Sequence, residues 1–112
     1  MNSKRKGAAG EREFASLCRD NGWMARRGQQ FCGGDESPDV VSNLPFHVEV
    51  KRVQKLNLAD ATAQAEGDCG GQPWIVAHRR NNAPWLITMR ADQWFELVRN
   101  ATSAETKNTN EA

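Results

Sequence analysis

The run Pro38-Asp39-Val40-Val41-Ser42-Asn43-Leu44-Pro45-Phe46-His47-Val48-Glu49-Val50-Lys51-Arg52 constrains the fold of this chain more than any other segment. Two short apolar stretches flank Ser42-Asn43-Leu44-Pro45, a turn sequence that interrupts both helices and strands. The pattern predicts a tight hairpin, with one strand entered at Pro38 to Val41 and the next running from Phe46 to Arg52. Side chains alternate across a strand, so Val48 and Val50 turn to one face while His47, Glu49 and Lys51 turn to the other. The two valines are expected to bury and the three polar groups to stay out of the core.

Around that hairpin, the 112 residues fit one domain, which at this length buries roughly two-thirds of the surface its unfolded chain exposes. Ala8 to Asn21 reads as a helix closed by Asn21-Gly22, with Phe14, Ala15, Leu17 and Cys18 in one apolar stripe. Glu11 lies about 50° from the centre of that stripe and Glu13 about 110°. A carboxylate on the shoulder of a buried face requires a partner or a cation, whereas Glu13 requires neither. Trp23 to Arg27 reads as a short strand, followed by the Gly-rich loop RGQQFCGGDES. Leu58 to Asp68 reads as a helix with a narrow face of Leu58, Ala61, Thr62 and Ala65, suited to close packing on a sheet or against another subunit.

Trp74 to His78 and Trp85 to Met89 form a second hairpin candidate, and Arg90 to Arg99 a last helix with Trp94, Phe95, Leu97 and Val98 on its apolar side. The expected organisation is a basic tail at 1–7, one α/β domain at 8–100 with a mixed sheet flanked by helices, and a disordered polar tail at 101–112.

Several classes are excluded. Apolar runs are only a few residues long, far short of the roughly 20 that cross a bilayer, and no apolar segment follows the charged amino terminus as in a secretory signal. A cytoplasmic location is expected. Cys18, Cys32 and Cys69 form an odd set without a CxxC pair, so they read as free thiols, and Cys69 with His78 matches no zinc spacing. No phosphate-binding P-loop is present, and no nucleotide cofactor is expected. The net charge is only +1, but residues 1–30 hold seven basic residues against three acidic ones, a local net of +4. Asp35, Glu36, Asp39 and Glu49 follow, and then Lys51, Arg52 and Lys55. Carboxylates flanked by basic segments suit a site that holds cations beside a polyanion.

The chemistry concentrates on the hairpin. Asp39 is brought beside Glu49, and Glu49 and Lys51 are separated by about 6.7 Å along their strand. Converging carboxylates repel, so one has a raised pKa unless a cation intervenes. Two carboxylates, a backbone carbonyl and waters suffice for Mg²⁺. Lys51 is then placed to orient a water or to stabilise charge on a phosphate.

Pro38-Asp39 with Glu49-Val50-Lys51 resembles the short motif of the PD-(D/E)xK nuclease superfamily, and Arg5-Lys6-Gly7 followed by Glu11-Arg12-Glu13 has the spacing of the opening pattern of archaeal-type Holliday junction resolvases and related small phage nucleases. The resemblance implies a restriction-endonuclease-like core and a Mg²⁺-dependent endonuclease, with Mn²⁺ substituting. It also implies a homodimer acting on branched or four-way DNA in the host cytoplasm if phage-encoded. Carried over, the catalytic residues are Glu11, Asp39, Glu49 and Lys51, and the metal is held by Asp39, Glu49, the Val50 carbonyl and Glu11. The DNA contacts are Arg27 with Lys6, Arg12, Arg26, Arg52, Lys55 and Gln64. A sequence-specific restriction or nicking endonuclease and a non-cleaving DNA-binding protein are the alternatives. The first lacks room for loops that read base edges; the second has no use for converging carboxylates.

Around the site, Asp35 and Glu36 compete as ligands, and His47 is either a satisfied neighbour of the carboxylates or a general base. Gln64 is either a contact or a solvated side chain. Trp74 and Trp85 read as core rather than as stacking platforms, and Arg79 and Arg80 either grip a phosphate or keep their loop soluble. The Ala-rich helix, with Trp85 or Trp94, is the expected dimer contact.

Overall fold

The hairpin forms as β2 (Val40–Ser42) and β3 (His47–Arg52), antiparallel with Val40 opposite Val48. In the computed structural model, which describes residues 3–28 and 38–110 and the side chains of 7–28 and 38–103, β3 is the central strand of a five-stranded sheet. The sheet order is β1-β2-β3-β4-β5, with β1 (Ala25–Arg27), β4 (Trp74–Arg79) and β5 (Leu86–Met89). Only β3 and β4 run parallel; the other neighbours are antiparallel, which makes the sheet mixed as expected. The Gly-rich loop with Cys32, Asp35 and Glu36 lies outside the described residues, as does the side chain of Lys6.

Parallel neighbours need a crossover, and α2 (Leu58–Asp68) supplies it, capped by the Asn57 side chain on the Asp60 amide. On the opposite face lies α1 (Ser3–Asp20), whose Phe14, Ala15 and Cys18 pack with Val40, Val48, Val50, Ile75 and Ala77. Its close approach rests on Gly10, where a Cβ would come within 2.6 Å of the Arg52 Cβ. The α2 face is smaller: Ala61 and Ala65 pack on Trp74 and Val76.

This crossover corrects one expectation. His47 and Glu49 are 4% and 1% exposed, and Glu49 is among the largest fully buried side chains of the chain. The register places His47 beside Trp74 and Glu49 beside Val76, on the face that α2 covers. The parallel connection puts a roof over that face, so the polar side of β3 is buried along with its valine side.

Other boundaries differ for physical reasons. Helix α1 starts at Ser3 rather than Ala8, because Lys4, Arg5 and Lys6 are good helix formers although they extend no apolar stripe. At the other end, α3 (Ala91–Asn110) continues ten residues beyond Asn100, through a stretch expected to be a disordered tail. Ala101, Ala104, Glu105 and Lys107 favour helix without needing a packed face. The Ala-rich helix is not a free interface either, since Ala61 and Ala65 are 3% and 0% exposed within the chain's own core. The apolar side of α3 is left uncovered: Trp94, Phe95, Leu97 and Val98 are 41–54% exposed, and Leu86 and Ile87 of β5 are exposed as well, at 55% and 49%.

Candidate active site

Asp39 stands one residue before β2. The pairings Arg27↔Val40 and Val40↔Val48 put it opposite both Gly28 and Glu49. Its backbone is pinned from both sides: the Gly28 N–H donates to its carbonyl at 2.8 Å, and its own N–H donates to the Val48 carbonyl at 2.9 Å. Its carboxylate Oδ2 accepts the Val50 N–H at 2.8 Å. Gly28 is indispensable to this arrangement, because a Cβ there would fall 2.2 Å from the Pro38 carbonyl oxygen.

Asp39 and Glu49 stand opposite one another on adjoining strands, both buried. Burial pushes the Asp39 carboxyl up to about 7, and the nearby Glu49 charge adds to the shift, more than the Val50 amide and Lys51 remove. Burial likewise raises Glu49, with further push from Asp68 and Glu11, against the lowering hydrogen bond from Asp39 and the charge of Lys51. Two carboxyl groups thus face each other where their charges are only partly compensated, which is the electrostatic profile of a site that takes a cation.

His47 closes the inner side. Its Nε2 lies 2.7 Å from Glu49 Oε1, which fixes one Glu49 oxygen, and burial lowers the pKa of the imidazole. On the outer side Lys51 is half-buried, and its Nζ donates to Gln64 Oε1 at 2.9 Å. That contact makes Gln64, itself exposed, a neighbour of Lys51.

Glu11 arrives from α1 and is 8% exposed. Arg27 Nε donates to its Oε2 at 2.7 Å, and burial raises the pKa of the carboxyl further than this bond lowers it, with Asp39 adding to the rise. Arg27, expected as a phosphate contact, is thus also the counterion of Glu11; its side chain remains 42% exposed. Among the described residues no three His, Cys, Asp or Glu side chains gather into a metal cage.

The remaining basic candidates divide. Arg12, Arg26 and Lys55 are exposed. Arg52 is instead tied into the fold, donating to Glu13 Oε2 at 3.4 Å and to Asn81 Oδ1 at 2.6 Å. The same carboxylate accepts from Arg79 and from Trp85 Nε1 at 3.0 Å. Glu13 therefore does have partners, contrary to expectation, and they come from β3, β4 and the residue before β5. Helical phase within α1 gave no sign of them. Trp74 is buried, and Trp85 packs on Phe14 with ring centroids 5.2 Å apart, so both belong to the core.

Paired carboxylates and a lysine on adjoining strands of a mixed sheet, with α1 supplying a further carboxylate, are the arrangement that the PD-(D/E)xK motif leads one to expect of a metal-dependent nuclease. A family model of the archaeal Holliday junction resolvase (Hjc) matches residues 2–110, and the chain belongs to that family. It is a structure-selective, junction-resolving endonuclease. No curated protein matched the sequence. Among solved structures, Archaeoglobus fulgidus Hjc, a Holliday junction resolvase from an archaeal hyperthermophile, aligns with a TM-score of 0.52 at 23% identity, covering 75% of this chain and 72% of that one. At that identity the likeness concerns the fold. Among the described residues, no helix is long and apolar enough to cross a membrane.

Proposed function

We propose that the protein hydrolyses phosphodiester bonds of four-way and related branched DNA with Mg²⁺, for which Mn²⁺ substitutes, at a site made by Asp39, Glu49 and the Val50 backbone carbonyl. The observation that carries this reading is the buried carboxyl pair of Asp39 and Glu49, opposite one another on adjoining strands, with Lys51 two residues beyond Glu49 on its strand. The donors fit the ion: Mg²⁺ takes oxygen ligands and retains several waters, so it needs no complete protein cage. When bound, it supplies a more acidic water and offsets the charge that grows on the phosphate. His47 holds Glu49 in place for this role. Lys51, steadied by Gln64, stabilises phosphate charge or orients the attacking water. Glu11 completes the acidic cluster from α1, and Arg27 keeps guanidinium surface exposed for a phosphate while anchoring Glu11. Arg12, Arg26 and Lys55 are exposed for further backbone contacts.

A four-way junction has two-fold symmetry and needs two opposed cuts, so one site per chain calls for an isologous dimer. The uncovered apolar side of α3 with Leu86 and Ile87 is the surface offered to a second copy. A labelled four-way junction incubated beside the corresponding linear duplex, in Mg²⁺, in Mn²⁺ and with chelator, tests the reading. Paired cuts in the junction, absent with chelator, are expected. Equal cutting of the duplex or chelator-resistant cleavage overturns it. In sedimentation the wild type should run at about twice the chain mass and Trp94→Glu closer to the monomer.

A further inference from the structure

Among the described residues, Trp23, which leads into β1, is an exposed aromatic at 43%, and the next residue, Met24, is 74% exposed. Neither is a loose end. The chain leaves α1 through Gly22 at φ 89°, with the Trp23 N–H on the Cys18 carbonyl at 3.0 Å and the Gly22 N–H on the Arg19 carbonyl at 3.0 Å. This is a Schellman closure, in which glycine takes the left-handed position. Met24 is then locked to Asn43 by two bonds, its N–H to the side-chain oxygen at 3.0 Å and its carbonyl to the Asn43 N–H at 3.2 Å. The backbone that carries these two large apolar side chains is thus held in place at the surface.

They line a groove of about 790 Å³ whose floor includes Val41, itself 37% exposed, and whose sides include Arg19 and Arg26. No carboxylate lines it. The groove shares Val41 and Ser42 with a second cleft that reaches Pro38, His47 and Asp68, so the two adjoin along β2. From Gly28, opposite Asp39, to Met24 is four residues, about 13 Å at the rise of a strand, or about four stacked nucleotides.

From an aromatic face, a polarizable thioether and two guanidinium groups lying a few residues along β1 from the position opposite Asp39, we infer that this groove binds an unpaired base of the substrate strand about four nucleotides from the cleaved phosphate. It thereby contributes to the choice of branched over linear DNA, and it rests on the nuclease reading above. Every base has a π-face, so a tryptophan platform recognises an unstacked nucleotide without reading its sequence. In a continuous duplex the base is already stacked and gains nothing by leaving; at a branch point that cost is reduced. A second copy of the chain suits the groove less well. A two-fold interface brings a patch onto itself, and Arg19 and Arg26 would then meet their own counterparts.

The test is binding of a four-way junction carrying 2-aminopurine at positions next to the branch point, in Ca²⁺ to hold back cleavage, compared with linear duplex. Wild type should raise the 2-aminopurine fluorescence, and Trp23→Phe should retain that signal. Trp23→Leu keeps apolar bulk but loses the π-face, and should lower junction affinity about tenfold with duplex affinity unchanged. Met24→Glu, at a site too exposed to threaten the fold, should weaken the junction complex in the same direction. Wild-type affinity and fluorescence in Trp23→Leu, in a protein that still cuts junctions, overturns this inference alone. A wild type that cuts no branched DNA in Mg²⁺ or Mn²⁺ overturns the nuclease reading first. Conversion of the protein to monomer by Met24→Glu would make the groove a protein interface and overturn the inference as well.

Discussion

Glu13 and Glu49 are both held against the same sheet, and their surroundings are opposite. Glu13 is surrounded by donors: Arg79, Arg52 and the Trp85 indole all point at it. Burial pushes its pKa up, but those partners outweigh it and the carboxyl ends below its ordinary value. Glu49, 1% exposed, has the His47 imidazole as its hydrogen-bond partner and another carboxyl group opposite it, and its pKa is raised. A carboxylate satisfied by cations joins strands together. A pair of carboxyl groups short of positive charge costs the fold stability and has chemistry to do.

The largest effect that sharpens this contrast is on cleavage. Glu49→Ala or Asp39→Ala should abolish junction cutting while DNA affinity stays equal or increases, because a negative charge near phosphates is removed. The metal-free variants should melt no lower than wild type at pH 8. Glu13→Gln should reverse the pattern, losing about 1–2 kcal/mol of stability from weakened charge-assisted bonds while cutting at near the wild-type rate once folded. Denaturant melts beside single-turnover cleavage separate the two. Equal loss of cleavage in Glu13→Gln and Glu49→Ala, with equal stabilities, would erase the distinction.

Gly28→Ala should come next. The added methyl group must displace the Pro38 carbonyl, 2.2 Å from its Cβ position, and with it the backbone that carries Asp39. A shift of about 1 Å in a catalytic group is enough for roughly a hundredfold loss of rate. Single-turnover kinetics should show this loss with junction affinity little changed.

A smaller effect follows from pH. The Asp39 pKa is raised to about 7 in the folded protein from an ordinary 3.8. A raised folded pKa contributes stability that is fully present below the unfolded value and is lost as pH rises through the folded one. The metal-free protein should therefore lose melting temperature from pH 5 to pH 8, and added Mg²⁺ should reduce that loss by favouring the ionised carboxylates. Cleavage at subsaturating Mg²⁺ should rise about fivefold from pH 6 to pH 7. A flat melting profile in the absence of metal would contradict the assignment. The smallest change is Gln64→Ala, which frees Lys51 from its 2.9 Å partner. A few-fold slower cleavage with intact metal affinity is expected, measured by single-turnover rates and calorimetry.

Much of this site is legible along the chain because its parts are local. Strand alternation places Glu49 and Lys51 on one face, the turn at Ser42 to Pro45 brings Asp39 opposite Glu49, and helical phase turns Glu11 toward the sheet. What escaped such reading depends on distant segments. The partners of Glu13 at Arg79 and Trp85 are 66 and 72 residues away. The burial of His47 and Glu49 comes from α2 roofing their face, a consequence of the parallel β3–β4 pairing that periodicity within one strand does not contain. Gly28 looks like an ordinary loop glycine until Pro38 is seen against it. The last half of α3 follows helix propensity without an apolar stripe, so a search for amphipathic pattern ends at Arg99.

Calorimetric titration of Mn²⁺ into the wild type, Glu49→Gln and Glu13→Gln at pH 8 tests the central assignment most directly. Wild type and Glu13→Gln should bind the ion with similar affinity, while Glu49→Gln, which removes a charge and keeps the side-chain shape, should show binding weakened about a hundredfold or beyond detection. Wild-type affinity in Glu49→Gln, or its loss in Glu13→Gln with the fold intact, would place the metal elsewhere than at the Asp39–Glu49 pair.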